Sequence, residues 1–139
     1  MSRITIDLPE SFTFSTDIPL RITDINYGNH LGNDAVLALV HEARVRFLQS
    51  HGFSEIDIAG SSIIMSDAAI VFKSQGSYGQ TVRIEIALVD PGPLSCDFLY
   101  KLSDAETGTE IARVKTGIVF FDYTTKRPVR MPEAFKQLL

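Results

Sequence analysis

The chain reads as an α+β domain in which one long helix is enclosed by an antiparallel sheet. Three observations predict this. Only Asp34 to His51 has the length and bounding residues of a helix, and its first half, Ala35-Val36-Leu37-Ala38-Leu39-Val40, is apolar on every side. A helix of that kind is covered nearly all round. The segments after it alternate with a period of two, the mark of strands with one buried face. Short turns join them, which implies antiparallel neighbours.

In chain order, Phe12 to Ile22 carries Phe12, Phe14, Ile18, Leu20 and Ile22 on one face, with Pro19 suited to an edge position or a bulge. A polar loop, Thr23 to Asn33, leads into the helix. Asn33 or Asp34 can cap its start, and Gly52 stands where a left-handed residue ends it. Ser62 to Phe72, Thr81 to Val89, Leu94 to Leu102 and Glu110 to Phe121 read as strands, and Gly76-Ser77-Tyr78-Gly79 reads as a turn. Met131 to Leu139 reads as a short helix with Pro132 in its first turn. Five strands and one helix leave the far sheet face or a sheet edge bare, which predicts a homodimer or a dimer of dimers.

The 139 residues suit a single domain, residues 1–139, and 45% hydrophobic with 22% charged residues argues against disorder. The net charge of −4, with Lys and Arg scattered, speaks against a nucleic-acid partner. No apolar run approaches the roughly 20 residues that cross a bilayer, and the first residues lack a leader's apolar stretch, so no membrane is expected. Cys96 is the one cysteine, which excludes an intrachain disulfide and suits a small core residue. With no Cys/His cluster, no metal and no cofactor are expected. The cytoplasm is the expected compartment.

The sequence holds no GxSxG, GxxxxGK, GxGxxG or HExxH pattern. Its densest polar constellation is Asp24 to Asp34, at the start of the helix. There the first backbone N–H groups lack intrahelical acceptors and the helix dipole is positive, so an anion or a developing oxyanion is favoured. Asp24, His30, Asn26, Asn29 and Asn33 converge on that point. The same residues also make an ordinary turn-forming loop.

Asp24-Ile25-Asn26-Tyr27-Gly28-Asn29-His30-Leu31-Gly32-Asn33 resembles the D-x-D-x-x-G-H-x-N-N signature of the 4-hydroxybenzoyl-CoA thioesterase-like hotdog family. The stretch His41-Glu42-Ala43-Arg44 resembles its E-x-A-R, and Asp122 to Pro128 with Met131-Pro132 resembles its closing segment. The resemblance implies a hotdog fold, a central helix wrapped by a curved five-stranded antiparallel sheet. Two subunits would join their sheets, with active sites at the dimer interface. It further implies hydrolysis of an acyl-CoA thioester, with Asp24 as nucleophile or general base. His30 would be a second catalytic group, and Tyr27, Leu31, Gly32, Asn33 and Asp34 would hold the acyl group and the oxyanion.

Three positions depart from the pattern. Asn26 replaces the second acid, Gly32 replaces the first of the paired Asn, and His41 stands where the helix usually carries a carboxylate. On a helical wheel His41 shares a flank with Asp34, Leu37, Arg44 and Leu48. It suits either a structural imidazole or a catalytic one that titrates near neutral pH. Glu42 points roughly 100° away and pairs with Arg46 on the wet side. Lys126, Arg127 and Arg130 form the one basic cluster, either a solvated loop or a seat for CoA phosphates. The hydrolase reading has two rivals, a hotdog dehydratase or hydratase acting on acyl thioesters, and a non-catalytic acyl-thioester-binding module.

Overall fold

Residues 2–139 are described by a computed structural model of the chain. Strand β1 (Phe14–Pro19) is followed by a 3-10 turn (Ile22–Asp24), helix α1 (Asn33–Ser50), and strands β2 (Ser62–Phe72), β3 (Thr81–Val89), β4 (Ser95–Asp104) and β5 (Glu110–Asp122). A two-residue strand β6 (Arg127–Pro128) and a one-turn helix α2 (Glu133–Lys136) end the chain. The strands form one antiparallel sheet in the order β1-β3-β4-β5-β2, with β6 on the end of β5. This is the predicted hotdog arrangement, with β6 as an added strand.

The first strand is shorter than its alternation suggests. Leu20 N–H still donates to Gln80 O (2.9 Å) past Pro19, and the chain then leaves the sheet, with Ile22 turning outward into the 3-10 turn, 67% exposed. Helix α1 starts without a side-chain cap. Gly32 is its N-cap, held by backbone bonds on both sides, Gly32 N–H to Asp24 O (2.9 Å) and Ala35 N–H to Gly32 O (3.1 Å). Its other end closes as the sequence predicts. Gly52 has φ +76°, Phe53 N–H donates to Leu48 O (2.9 Å) and Gly52 N–H to Gln49 O (3.0 Å), a Schellman motif.

Helix α1 lies in the concave face of the sheet. Val36, Leu39, Val40, Ala43, Phe47 and Leu48 bury themselves against Ile84, Ile86, Phe98, Tyr100, Val114 and Phe120. The enclosure is not complete on the first half, where Ala38 faces solvent and Leu37 is half-buried. The sheet reaches round only one side of a helix whose apolar residues occupy all of them. The outer face of the sheet is not bare. Ile6, Leu8 and Phe12 of the N-terminal segment pack on Ala87, Leu99 and Val71, and Arg113 Nη1 donates to Ile6 O (2.9 Å). Cys96 lies in the core at 1% exposure, and burial, with Asp97 adding to it, pushes its thiol up to about 12.

The predicted C-terminal helix shrinks to Glu133–Lys136, with Pro132 as N-cap. Its Phe135 is wholly buried and closes the end of the core, 5.0 Å from Phe120 and 6.4 Å from Phe98 between ring centroids. Phe135→Ala is expected to cost about 3–5 kcal/mol, read as a lower urea midpoint at unchanged slope.

Candidate active site

The loop between β1 and α1 is built from its own side chains. The Asp24 carboxylate, 4% exposed, accepts from Arg21 N–H (2.8 Å), Nε (3.4 Å) and Nη2 (3.3 Å). Asn26 Oδ1 accepts from Gly28 N–H (2.9 Å) and His30 N–H (3.2 Å), and Asn26 N–H donates to His30 O (2.8 Å). Asn29 sits at φ 66°, a left-handed position that Asn tolerates better than most residues. Leu31 N–H donates to Gly76 O (2.8 Å), pinning the loop to the β2–β3 connection. A Cβ on Gly76 would lie 3.1 Å from Leu31 Cβ, so this close crossing favours glycine.

These contacts frame a cavity of about 450 Å³ at the start of α1. One wall is Asn26, Tyr27, Gly28, His30, Leu31, Asn33 and Val36; the other is Phe72 to Gly76 with Ile111. The backbone N–H groups of Asn33 and Asp34 have no acceptor among the described residues. They sit at the positive end of an 18-residue helix, where a negative charge is stabilised. The His30 imidazole is half-buried and makes no hydrogen bond with the described residues. Among the described residues, no carboxylate lines the cavity.

The structure therefore brings Tyr27, His30, Leu31 and Asn33 together and sets the other predicted site residues apart. Gly32 lies behind the wall as the N-cap, and Asp34 is an exposed residue of the first helical turn. Asp24 is turned away, bonded to Arg21, and serves the cavity through its carbonyl bond to Gly32. His41 lies eight residues along the helix from Asn33, a rise of about 12 Å. Phe72, Lys73 and Ile111 were not legible as site residues. Phe72 ends β2, Lys73 follows it and Ile111 lies on β5, and the local signal of the two strand residues is alternation alone.

A second polar cluster runs beneath His41. His41 Nε2 lies 2.6 Å from Glu55 Oε1, and Arg44 Nε donates to Glu55 Oε2 (2.8 Å). Arg44, its side chain 4% exposed, also donates through Nη1 to Tyr100 Oη (2.9 Å), and Tyr100 Oη meets Thr116 Oγ1 (2.9 Å). Burial pushes the Glu55 carboxyl up, but the bonds from Arg44 and His41 together outweigh it and hold it below its usual value. Glu55 falls in a turn with no motif of its own, and only the buried arginine on the helix flank hints at it. Glu42 pairs with Arg46 (2.8 Å) on the wet side, as the spacing predicts. Lys126, Arg127 and Arg130 sit in the exposed β5–β6 turn and the residues after it, at the other end of the sheet from the cavity.

Residues 20–139 match the model of the thioesterase-like superfamily. The chain belongs to that superfamily. It has the hotdog fold, and the superfamily match supports thioester hydrolysis. No curated protein sequence matches significantly. Among solved structures, the fold is similar to a 1,4-dihydroxy-2-naphthoyl-CoA thioesterase from Synechocystis, at 18% identity and TM-score 0.82, covering 90% of this chain and 93% of that one. It is similar to a DHNA-CoA thioesterase from Staphylococcus aureus, at 18% identity and TM-score 0.80, covering 89% of each chain. A Pseudomonas aeruginosa protein matches at 20% identity and TM-score 0.81, covering 94% and 91%.

The depressed Glu55 value has a consequence for acid stability. The stability it contributes is complete above its unfolded value of about 4.3 and is lost as pH falls through the folded value. Urea midpoints measured from pH 6 down to pH 3 should fall on the acid side, and Glu55→Gln should remove part of that fall.

Proposed function

We propose that the chain hydrolyses an acyl-CoA thioester in the cavity at the start of α1, and does so as a homodimer. The observation that carries the reaction is the pair of unmet N–H groups on Asn33 and Asp34, beside His30 in the cavity wall. The thioester oxygen lies against these N–H groups, where charge builds as water adds to the carbonyl carbon. His30 donates to the same oxygen, Asn33 and Leu31 hold the acyl group, and Tyr27 stands at the rim. Asp24 is a positioning residue in this reading, since its carboxylate is occupied by Arg21. A volume of about 450 Å³ lies in the range of small-ligand sites. The two relatives named for dihydroxynaphthoyl-CoA make aromatic acyl groups a sensible part of any substrate panel. The compartment is read as the cytoplasm, since the one thiol is buried and unpaired. Among the described residues no helix is long and apolar enough to cross a membrane.

The dimer reading rests on the unequal edges of the sheet. The β1 edge is six residues long and carries Pro19. The β2 edge is eleven residues long, holds no proline, and has Asp67 as its one charge, folded back onto Lys115 and Gly117 N–H. Met65 and Phe72 on it are 45% and 53% exposed. A long apolar edge without protecting charge or proline invites a second strand, and an identical β2 running antiparallel supplies it. That pairing also brings Lys126, Arg127 and Arg130 of the second copy towards the cavity end, where the phosphates of a CoA carrier would lie.

Thiol release measured across aliphatic and aromatic acyl-CoA substrates tests the activity, and no release from any of them would reject it. His30→Ala is expected to lower kcat by about a hundredfold with the fold intact, whereas Asp24→Ala is expected to lower stability by about 1 kcal/mol through the lost bonds from Arg21. Light scattering should give twice the monomer mass at micromolar concentration, and Ala68→Lys on the β2 edge should shift it towards the monomer.

A further inference from the structure

The N-terminal segment does more than cover the outer face of the sheet. Arg113 on β5 donates through Nη1 to Ile6 O (2.9 Å), while its Nε and Nη2 are held by Glu110 (2.7 and 3.1 Å). This anchor lays the segment across the end of β2, and a second cavity of about 420 Å³ lies between them. Arg3, Thr5 and Asp7 line it from the segment, and Phe72, Lys73 and Arg113 from the sheet. Phe72 and Lys73 also line the cavity at the start of α1. The two cavities therefore share a rim at the end of β2, one on the concave side of the sheet and the other on its outer side.

The outer cavity departs from the charge of the chain as a whole, which is −4. Here cations outnumber carboxylates. Arg113 is matched by Glu110, whose carboxyl is held below its usual value by the bonds from Arg113 and, further off, by the charges of Lys101 and Lys73. Asp7 is the one carboxylate in the lining. Arg3 and Lys73 are exposed, and among the described residues neither has an ion-pair partner. A guanidinium fork and an ammonium point charge that no carboxylate answers suit a phosphate group. The Phe72 ring, 53% exposed, stands on the shared rim and offers an apolar surface to an arm that crosses from one cavity to the other. Within one chain, Lys126, Arg127 and Arg130 lie at the other end of the sheet, whereas this cation pair adjoins the candidate active site with no second copy needed.

We propose that the outer cavity seats the phosphates of a CoA carrier. Arg3 and Lys73 are their direct partners, and Arg113 is a positioning residue that holds Ile6 and with it the segment bearing Arg3. The proposal rests on the acyl-CoA hydrolase reading above and extends it to the carrier. The acyl group enters the cavity at the start of α1, the pantetheine arm passes over Phe72, and the nucleotide phosphates lie on the outer side. A thioester without phosphates loses these contacts and keeps those to the acyl group.

Two thioesters of one acyl group test this, one on CoA and one on N-acetylcysteamine, which carries no phosphate. The readout is the ratio of their kcat/KM values, so a general loss of activity cancels. Wild-type chain is expected to favour CoA, and Arg3→Glu and Lys73→Glu are each expected to lower the ratio by about tenfold, through KM for the CoA thioester. Arg113→Gln is expected to lower it by about threefold, whereas a purely structural loss would slow both substrates alike. Added salt should lower the wild-type ratio as well, since the seat is exposed. A ratio unchanged in Arg3→Glu and Lys73→Glu overturns the proposal, as does one that falls only in Lys126→Glu and Arg127→Glu. Failure of the hydrolase reading looks different, since wild-type chain would then release no thiol from either carrier. Calorimetric titration with adenosine 3′,5′-bisphosphate then decides the seat alone. Binding that the Arg3→Glu, Lys73→Glu double variant loses supports it, and no binding to wild-type chain overturns it.

Discussion

A guanidinium taken out of water must be met on nearly every side, and Arg44 organises this molecule through that demand. It sits on the buried side of α1 and is answered by Tyr100 on β4 and by Glu55 from the loop after the helix, with Thr116 on β5 answering Tyr100 in turn. Two strands and one loop are thereby fixed relative to one helix face. Burying an ion pair gains little over packing hydrocarbon, but removing one partner leaves the other charge stranded at a cost of about 3–5 kcal/mol. The cluster thus specifies geometry more than it adds stability. It also sets where the Glu55 carboxylate stands, and with it the ring of His41.

The other fixed point is the start of α1. Most helices that begin beside a polar loop take a side-chain cap, and this one takes a glycine between two backbone bonds. The result is that its first N–H groups stay unmet and point where a ligand can meet them. Capping by Asn33, the simpler expectation, would have used up part of what the cavity has to offer. The short 3-10 turn and the Arg21–Asp24 bonds bring the chain round to that point.

Much of the fold was legible because each element carries its own period and its own stops. Ser62 to Phe72 and Thr81 to Val89 match their strands residue for residue, and Gly52 marks the helix end with its positive φ. What failed was set by tertiary context. The strand before the loop ends early because the chain swings into the 3-10 turn at Ile22, and Ala38 is bare because a sheet covers only the side it curves around. The site was half legible. Tyr27, His30, Leu31 and Asn33 lie together because one loop holds them, so sequence proximity became spatial proximity. Asp24 sits in the same loop but faces inward, and orientation within a loop has no periodicity to read. Glu55 and Phe72 come from far along the chain, where neither spacing nor composition sets them apart.

Cys96 gives the chain a property that suits a thioester hydrolase. At 1% exposure and with its thiol pushed up to about 12, it is neither reachable nor ionised under ordinary conditions. Every turnover liberates a free thiol, and thiols oxidise to disulfides that exchange with any accessible thiolate. Where an oxidant has turned that product into a disulfide, a surface cysteine exchanges with it to give a mixed disulfide. This one has no handle for that reaction, so its native state is blind to the redox condition of the thiol it produces.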